Sequence, residues 1–176
     1  MSKIFLFGFI FSLLAAGAYA QDNKTAKPDT DMVALYQKYP ALPAFNIGMM
    51  DSVSVFNTYN IPKGNIVGIY FFSPDCGHCK RTMRRLTDSM DMLKDIRFYM
   101  ITPYHGMAEI QKFYSDFHLD KYKNIVLVGR DNEFFFGSYY GVKFVPDLVL
   151  YDKEKKLIKL IQGETTAKAV YEALHP

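Results

Sequence analysis

Cys76 and Cys79 are the only cysteines of this 176-residue chain, and they stand in the motif Cys76-Gly77-His78-Cys79. Two thiols separated by two residues can close into a small disulfide ring and open again, so the pair can accept and return two electrons. An apolar run precedes the motif and a basic, periodic segment follows it, which predicts a strand-to-helix junction. The sequence therefore points to redox chemistry on thiols.

The positions within the motif predict different roles for its members. Cys76 falls at or just before the first turn of the predicted helix, where free N–H groups and the helix macrodipole stabilise a thiolate. We expect Cys76 to be the nucleophile and Cys79, about one turn further along, to resolve the mixed disulfide. His78 can donate a hydrogen bond or a positive charge to the thiolate, which stabilises the reduced form and makes the disulfide more oxidising.

The first twenty residues predict the compartment in which this chemistry takes place. Lys3 supplies a positive charge, an apolar run follows, and Ala18 and Ala20 offer small side chains at the positions that a signal peptidase reads. We expect a signal peptide over residues 1–20, cleaved before Gln21, and an exported protein that is periplasmic or secreted. The apolar run is short for a membrane span, which needs about 20 residues, so we expect no stable membrane insertion after cleavage.

Composition limits the possibilities for the rest of the chain. Removing residues 1–20 from the 176 leaves 156, the size of one domain with a full core. The 21 basic and 18 acidic residues nearly balance, so we expect no nucleic-acid partner. Two cysteines cannot form a disulfide scaffold, and stability must therefore come from packing, to which the 16% of aromatic residues contribute.

The segments before the cysteines predict a tether, a hairpin and a buried strand. Residues 21–31 are polar and residues 32–39 follow helical spacing, which predicts a polar tether and short helix over 21–41. Residues 44–59 predict a pair of strands joined by a turn. Residues 66–72 form a continuous apolar run, which is typical of a strand buried on both faces.

Apolar spacing after the cysteines predicts alternating helices and strands. Strands are expected over residues 96–101, 125–128, 148–151 and 157–161. Helical stripes that face a core are formed by Met83, Leu86, Met90 and Leu93, by Ile110, Phe113, Tyr114 and Phe117, and by Ala167, Val170, Tyr171 and Leu174. This order predicts an α/β fold with a central mixed sheet and helices on both of its faces.

Together these features resemble the thioredoxin-like thiol-disulfide oxidoreductases, and within them the exported TlpA-like branch. The resemblance rests on FSPDCGHC at residues 72–79 and on YGVKFVP at residues 140–146, which leads into a strand hairpin. It implies a thioredoxin fold over residues 42–176, with an N-terminal β-hairpin extension. In the family the proline is cis and packs against the disulfide, a role that we transfer to Pro146, since X-Pro bonds adopt cis at low cost.

The resemblance also implies an enzyme that exchanges a disulfide with protein thiols and needs neither a dissociable cofactor nor a metal. Val145 and Pro146 would hold the backbone of a partner protein as an extended strand. Exported relatives include reductases, which would need a membrane electron donor, as well as oxidants and isomerases, so the direction of exchange stays open. The Gly77-His78 pair also occurs in the family's protein disulfide isomerases, which lie near about −180 mV, against about −270 mV for thioredoxin.

Two residues depart from the thioredoxin pattern. Asp75 stands where thioredoxins usually carry Trp, and a carboxylate there opposes a neighbouring thiolate. Tyr70 occupies the place of a buried aspartate that manages protons in thioredoxin. Glu109 and Glu133 are candidate replacements, but glutamate is rarely buried, so we expect an exposed surface position for each.

The cysteine pair is compatible with other functions to different degrees. A structural zinc site needs four ligands and normally two such pairs, and a purely structural disulfide over so short a loop would remove little unfolded-state entropy. The stronger rival is a copper-binding metallochaperone, or a non-catalytic binding module, on the same scaffold. Cys76 and Cys79 would then bind copper together with His78 or His105 as soft ligands.

The basic residues after the motif also allow two interpretations. Lys80, Arg81, Arg84 and Arg85 lie off the apolar stripe of the predicted helix. Such a run is usually a solvated helix face. Its functional alternative is a surface that steers acidic partner proteins toward Cys76.

Overall fold

The structure is a computed structural model that describes residues 34–103 and 105–175. The predicted signal peptide and the polar tether over residues 21–31 lie outside this part of the chain. The strands of the described part are β1 (Asn46–Met49), β2 (Val55–Asn57), β3 (Ile66–Phe71), β4 (Ile96–Thr102), β5 (Ile125–Arg130), β6 (Asp147–Tyr151) and β7 (Leu157–Gln162). Its α-helices are α1 (Leu35–Lys38), α2 (Gly77–Thr87), α3 (Met107–Asp116), α4 (Phe135–Tyr140) and α5 (Ala167–Leu174).

All seven strands join one mixed sheet in the order β2-β1-β5-β4-β3-β6-β7. The apolar strand β3 lies inside the sheet, parallel to β4 and antiparallel to β6. Five of its six residues are buried, as the unbroken apolar run predicted. The motif that follows β3 therefore emerges from the interior of the sheet.

Side chains of β3 alternate between two apolar layers. Tyr70 packs in a layer with α2, α3 and α5, which also contains Cys79. Phe71 packs on the other face with α4, where its ring centroid lies 4.5 Å from that of Phe136. The prediction of a central sheet covered by helices on both faces is confirmed.

The predicted hairpin and helical stripes are also present. β1 and β2 pair antiparallel with Asn46 opposite Asn57, and β1 extends the sheet beyond β5. The stripe after the cysteines is buried throughout, although α2 ends at Thr87 and a 3₁₀ turn over Met90–Leu93 carries its second half. The stripe of the last helix is only partly correct, because Tyr171 is 42% exposed and stacks on His175 instead of packing in the core.

Helix α4 was not predicted from the sequence. The carboxylate of Asp131, which is fully buried, accepts hydrogen bonds from the main-chain N–H groups of Phe135 at 3.0 Å and Phe136 at 2.8 Å. These bonds satisfy donors that a helix leaves free at its start. Gly141 ends the helix with a φ of 66°, a left-handed conformation that glycine adopts without steric cost.

The segment before β1 is bound to the turn between β6 and β7. Ala41 forms an isolated bridge with Lys156, and Leu42 donates its N–H to the carbonyl of Lys155 at 2.9 Å. Leu157 donates to the carbonyl of Pro40 at 2.7 Å. The chain thus enters the sheet region at this turn before it forms the hairpin.

Candidate active site

The cysteine pair lies at the junction between β3 and α2. Cys76 is the N-cap residue of α2, with extended backbone angles of φ −70° and ψ 120°, as expected for this position. Its side chain is half-buried, whereas Cys79 in the first turn is fully buried. Both cysteines are free thiols, the reduced state of the pair. One sulfur is therefore accessible to a partner and the other is enclosed by the protein.

The surroundings of Cys79 keep its sulfur protonated in the reduced state. Burial raises the pKa of the Cys79 thiol well above its usual value, and a side-chain hydrogen bond with Cys76 raises it further. The main-chain N–H of Ser73 donates to the Cys79 sulfur at 3.4 Å, which favours the thiolate but does not offset burial. Cys79 thus has the character of an internal thiol that reacts after the exposed one.

Cys76 faces the loop that precedes β6. Its Sγ donates a weak hydrogen bond to the carbonyl oxygen of Val145 at 3.8 Å. The Val145-Pro146 peptide bond is cis, in agreement with the resemblance. Antiparallel pairing of Phe71 with Asp147 brings this loop beside the end of β3. The structure therefore brings together Cys76, Val145 and Pro146, which are separated by about 70 residues in the sequence.

An open groove of about 400 Å³ borders the same loop. The ring of Phe144 is 83% exposed beside it, a high value for an aromatic residue. Lys143 also lines the groove and forms no ion pair with the described residues. The lining is otherwise mostly apolar and consists of Phe71, Pro103, Phe134, Gly137, Ser138, Val142, Lys143, Phe144 and Val145.

His78 and two arginines of α2 converge on Glu164, in the loop between β7 and α5. His78 Nδ1 lies 2.5 Å from Oε1 of Glu164, and Arg85 donates to Oε2 at 2.9 Å. Arg81 donates to both oxygens, the shortest contact being 2.6 Å from Nη2 to Oε1. The hydrogen bond from Arg81, and next in size the one from His78, lower the pKa of the Glu164 carboxyl to about 2. Sequence reasoning missed Glu164.

The residues on the other side of Cys76 form a second polar cluster. The hydroxyl of Ser73 donates to the carboxylate of Asp75, and Nε2 of His105 lies 2.8 Å from the same hydroxyl. His105 also lies 3.3 Å from Oδ1 of Asp75. The Ser73 hydrogen bond is the main cause that lowers the pKa of Asp75, and His105 adds to it. Asp75 is therefore held as a carboxylate by its own loop and by His105.

The titratable side chains that are buried near the site are not the two glutamates that the sequence offered as proton carriers. Glu109 and Glu133 are exposed, which confirms their interpretation as surface residues. Tyr70 is buried under α2, and Asp147, which follows the cis proline, is also buried. Burial raises the pKa of Asp147 to about 6, and its Oδ2 has no hydrogen-bond partner among the residues that the structure describes. Because Asp147 pairs with Phe71, it belongs to the sheet face opposite the Cys79 layer.

The described residues form neither a metal cluster nor a membrane-spanning helix. In residues 34–103 and 105–175, no group of three or more His, Cys, Asp or Glu side chains is arranged to hold a metal ion. The two histidines that could have joined the cysteines are each bound elsewhere, His78 to Glu164 and His105 to Ser73. No helix in this part of the chain is long and apolar enough to cross a bilayer.

Solved structures of other proteins share this architecture. A secreted disulfide oxidoreductase of Mycobacterium tuberculosis, homologous to E. coli DsbE, is 16% identical with a TM-score of 0.59, over 74% of this chain and 94% of that one. StoA from Bacillus subtilis is 16% identical with a TM-score of 0.57, over 77% and 99%. The exposed lipoprotein thioredoxin Etrx1 of Streptococcus pneumoniae is 22% identical with a TM-score of 0.59, over 76% and 98%. These likenesses show a thioredoxin fold.

The family follows from the sequence itself. No match was found among curated proteins. The family model for a thioredoxin-like domain matches residues 59–175, which is about two thirds of the chain and includes both cysteines and the cis proline. The chain therefore belongs to the thioredoxin-like domain family, as the resemblance predicted.

Proposed function

We propose that this protein is an exported enzyme that exchanges a Cys76-Cys79 disulfide or dithiol with thiols of partner proteins. The observation that carries the proposal is the contrast between the two sulfurs. Cys76 is half-buried at the start of α2 and contacts the Val145 carbonyl, whereas Cys79 is fully buried one turn further along. An accessible sulfur beside an internal one is what a two-step exchange requires.

In the oxidising direction, a partner thiolate attacks Cys76 Sγ of the enzyme disulfide. The Cys76-Cys79 bond breaks, Cys79 leaves as a thiolate that takes up a proton, and a mixed disulfide forms between the partner and Cys76. A second partner thiolate then attacks the partner sulfur of that bond, which forms the partner's disulfide and releases Cys76. Two electrons pass from the partner to the enzyme. The reducing direction is the reverse sequence and begins with attack by Cys76.

The loop at Val145 and Pro146 would orient the partner during these steps. Its position beside Cys76 suits main-chain pairing with an extended partner segment, as in other strand-addition complexes. The groove next to Phe144 would then receive a side chain near the partner's reactive cysteine. His78 and Asp75, on either side of Cys76, would set the stability of its thiolate.

Export is part of the proposal. We assign residues 1–20 to a cleaved signal peptide, residues 21–41 to a tether with a short helix, and residues 42–176 to the thioredoxin-like domain. Support comes from the apolar N-terminal pattern and from two of the similar solved proteins, one secreted and the other an exposed lipoprotein. In that compartment a membrane electron donor or acceptor would restore the enzyme between turnovers.

Reduction of insulin by dithiothreitol tests the exchange activity. The reduced wild-type protein is expected to accelerate the reaction, and Cys76→Ser is expected to abolish this effect. Cys79→Ser should accumulate a mixed disulfide with insulin that dithiothreitol dissolves, because the resolving sulfur is absent. A Cys76→Ser protein that is as active as the wild type would refute the proposal.

Direction is decided by the reduction potential of the pair, measured against a glutathione redox series. A value near about −270 mV would indicate a reductase, and a value near about −150 mV would indicate an oxidant. Either value is compatible with the two-step mechanism.

A further inference from the structure

Glu164 connects the loop before α5 to the cysteine helix through three side chains. His78, Arg81 and Arg85 stand on α2 at steps of three and four residues, so they share one face of the helix. All three direct nitrogen atoms at the carboxylate of Glu164, at distances between 2.5 and 3.3 Å. The loop residue thus binds two of the four basic residues of α2, Arg81 and Arg85, together with His78.

The arginines fix the carboxylate in place. Arg81 binds both oxygens of Glu164, and Arg85 binds Oε2 from the next turn. An isolated exposed ion pair contributes little, but a carboxylate held by a two-oxygen contact and a second arginine is confined in position and orientation. Glu164 is accordingly only 24% exposed, whereas the arginines are each 47% exposed.

This confined carboxylate determines where the imidazole of His78 lies. A carboxylate has no proton to give, so we assign the proton of the 2.5 Å contact to Nδ1 of His78. Nη2 of Arg81 lies 2.6 Å from the same Nδ1 and 2.6 Å from Oε1 of Glu164. Because Oε1 can accept from both nitrogens, we assign the Nδ1 proton and an Nη2 proton to hydrogen bonds with that oxygen. Within the described residues, the Cys76 sulfur hydrogen-bonds the Val145 carbonyl and the Cys79 thiol, and not His78.

We propose that Glu164 is a positioning residue that holds His78 away from Cys76 and thereby makes the disulfide less oxidising than the Gly77-His78 pair alone would make it. The inference rests on the proposed exchange function and concerns its energetics. An imidazole that is free to approach Cys76 would stabilise the thiolate and therefore the reduced state. With Glu164 in place, its Nδ1 proton goes to the carboxylate instead.

The test is the equilibrium with glutathione. One oxidised enzyme and two glutathione molecules give one dithiol enzyme and one glutathione disulfide, so the enzyme bond breaks and the glutathione bond forms with transfer of two electrons. Glu164→Ala is expected to shift this equilibrium about tenfold toward the reduced enzyme, equivalent to a potential about 30 mV less negative. Ultraviolet absorbance of the thiolate should also show more ionised Cys76 at neutral pH in this variant.

Glu172→Ala is the matched control. Glu172 lies on α5, is 63% exposed and pairs with Lys168 at 3.6 Å, so its removal changes the net charge equally without touching His78. Its equilibrium with glutathione should equal that of the wild type. Equal shifts in both variants would show a general charge effect and overturn the positioning role.

A double variant tests whether the effect of Glu164 on the equilibrium depends on His78. In a His78→Ala protein, Glu164→Ala is expected to shift the equilibrium less than threefold, because the imidazole that it positions is absent. An undiminished tenfold shift in that background, or no shift in the wild-type background, would overturn the inference. These results are distinct from failure of the proposed function, in which the wild-type protein itself would show no exchange with glutathione or insulin.

Discussion

The hydroxyl of Tyr70 donates a hydrogen bond to the main-chain carbonyl of Cys79, with 3.1 Å between the two oxygens. Tyr70 belongs to β3 and Cys79 to α2, so this bond fastens the cysteine helix to the interior of the sheet. Burial raises the pKa of Tyr70 well above its usual value, and both cysteines add to the effect. At the place where thioredoxin keeps an acidic group, this chain has a hydroxyl that stays neutral and supports the helix.

Replacement of Tyr70 should therefore affect stability and not acid-base behaviour. Tyr70→Phe is expected to lower the free energy of unfolding by about 1 kcal/mol, the usual value of one buried hydrogen bond. The pH dependence of insulin reduction should not change. Urea unfolding and a pH-rate profile measure the two quantities, with Tyr59→Phe, at a ring that is 78% exposed, as the control. A displaced pH profile in Tyr70→Phe would show that the hydroxyl takes part in proton transfer.

The two thiols should differ strongly in reactivity. In the reduced protein, Cys76 is half-buried, whereas Cys79 is fully buried and burial raises the pKa of its thiol. Brief treatment with iodoacetamide at neutral pH is expected to alkylate Cys76 alone, because thiolates are the reacting species and Cys79 lacks both charge and access. Peptide mass spectrometry identifies the modified residue. Equal labelling of both cysteines in the native protein would contradict the assignment of nucleophile and resolving thiol.

Asp147 should make the protein less stable as the pH rises. Its pKa increases from 3.8 to about 6 on folding, so the folded state binds the proton more tightly than the unfolded chain. Stability is then fully present below about pH 4 and is lost as the pH rises to about 6, by about 3 kcal/mol at most. Asp147→Asn should abolish this part of the pH dependence, as measured by urea unfolding at several pH values. Wild-type and variant curves that run parallel across this window would refute the effect.

The groove beside Phe144 should matter for protein partners and not for small thiols. Phe144→Ala is expected to raise the KM for insulin about fivefold, equivalent to loss of about 1 kcal/mol of apolar contact. Exchange with glutathione, a tripeptide that offers little apolar surface to the groove, should be unaffected. Tyr59→Ala removes another exposed aromatic ring outside the groove and serves as the control. A KM for insulin that is unchanged in Phe144→Ala would exclude the groove from partner binding.

Two glycines should respond in opposite directions to the same substitution. A Cβ at Gly129 would lie 2.4 Å from the carbonyl oxygen of Gly48 and 2.7 Å from Ile47, where β1 and β5 pair. Gly129→Ala is expected to lower the free energy of unfolding by about 1–3 kcal/mol or more. Gly137 lies inside α4 with open space around its Cβ position, so Gly137→Ala should raise stability by about 0.5–1 kcal/mol. Thermal unfolding of both variants measures the two changes in stability. A Gly129→Ala protein that is as stable as the wild type would contradict the close packing of β1 on β5.

Much of the fold could be predicted because its strongest signals are local. The apolar run at residues 66–72 and the stripe from Met83 to Leu93 both occupy the predicted elements, since burial and periodicity are written in neighbouring residues. Helix α4 escaped prediction because FFGSYY combines aromatic residues with a central glycine, all of which are weak helix formers. Its buried residues Phe136, Tyr139 and Tyr140 do follow helical spacing, a signal that was present but short.

In the candidate site too, local sequence signals identified some residues and missed those that only the fold brings together. Cys76 and Cys79 were found from their spacing, and Pro146 from a motif. Glu164 could not be found in this way, because it lies 86 residues from His78 and only the return of β7 beside β6 brings them together. Asp147 was missed for a related reason, since nothing in its local sequence shows that its carboxylate is enclosed.

The segment before β1 contacts two distant parts of the domain, and the first of them is the turn at Lys156, which Ala41 bridges. β6 begins beside the cis proline and runs away from it, so the turn that Ala41 contacts is at the far pole from Cys76. From residue 40 toward Ala34 the chain packs on α4, with the ring centroids of Tyr36 and Tyr140 5.8 Å apart and Ala34 beside Gly141. The segment over residues 34–41 therefore links α4 to the turn between β6 and β7, and its detachment would release both from one another.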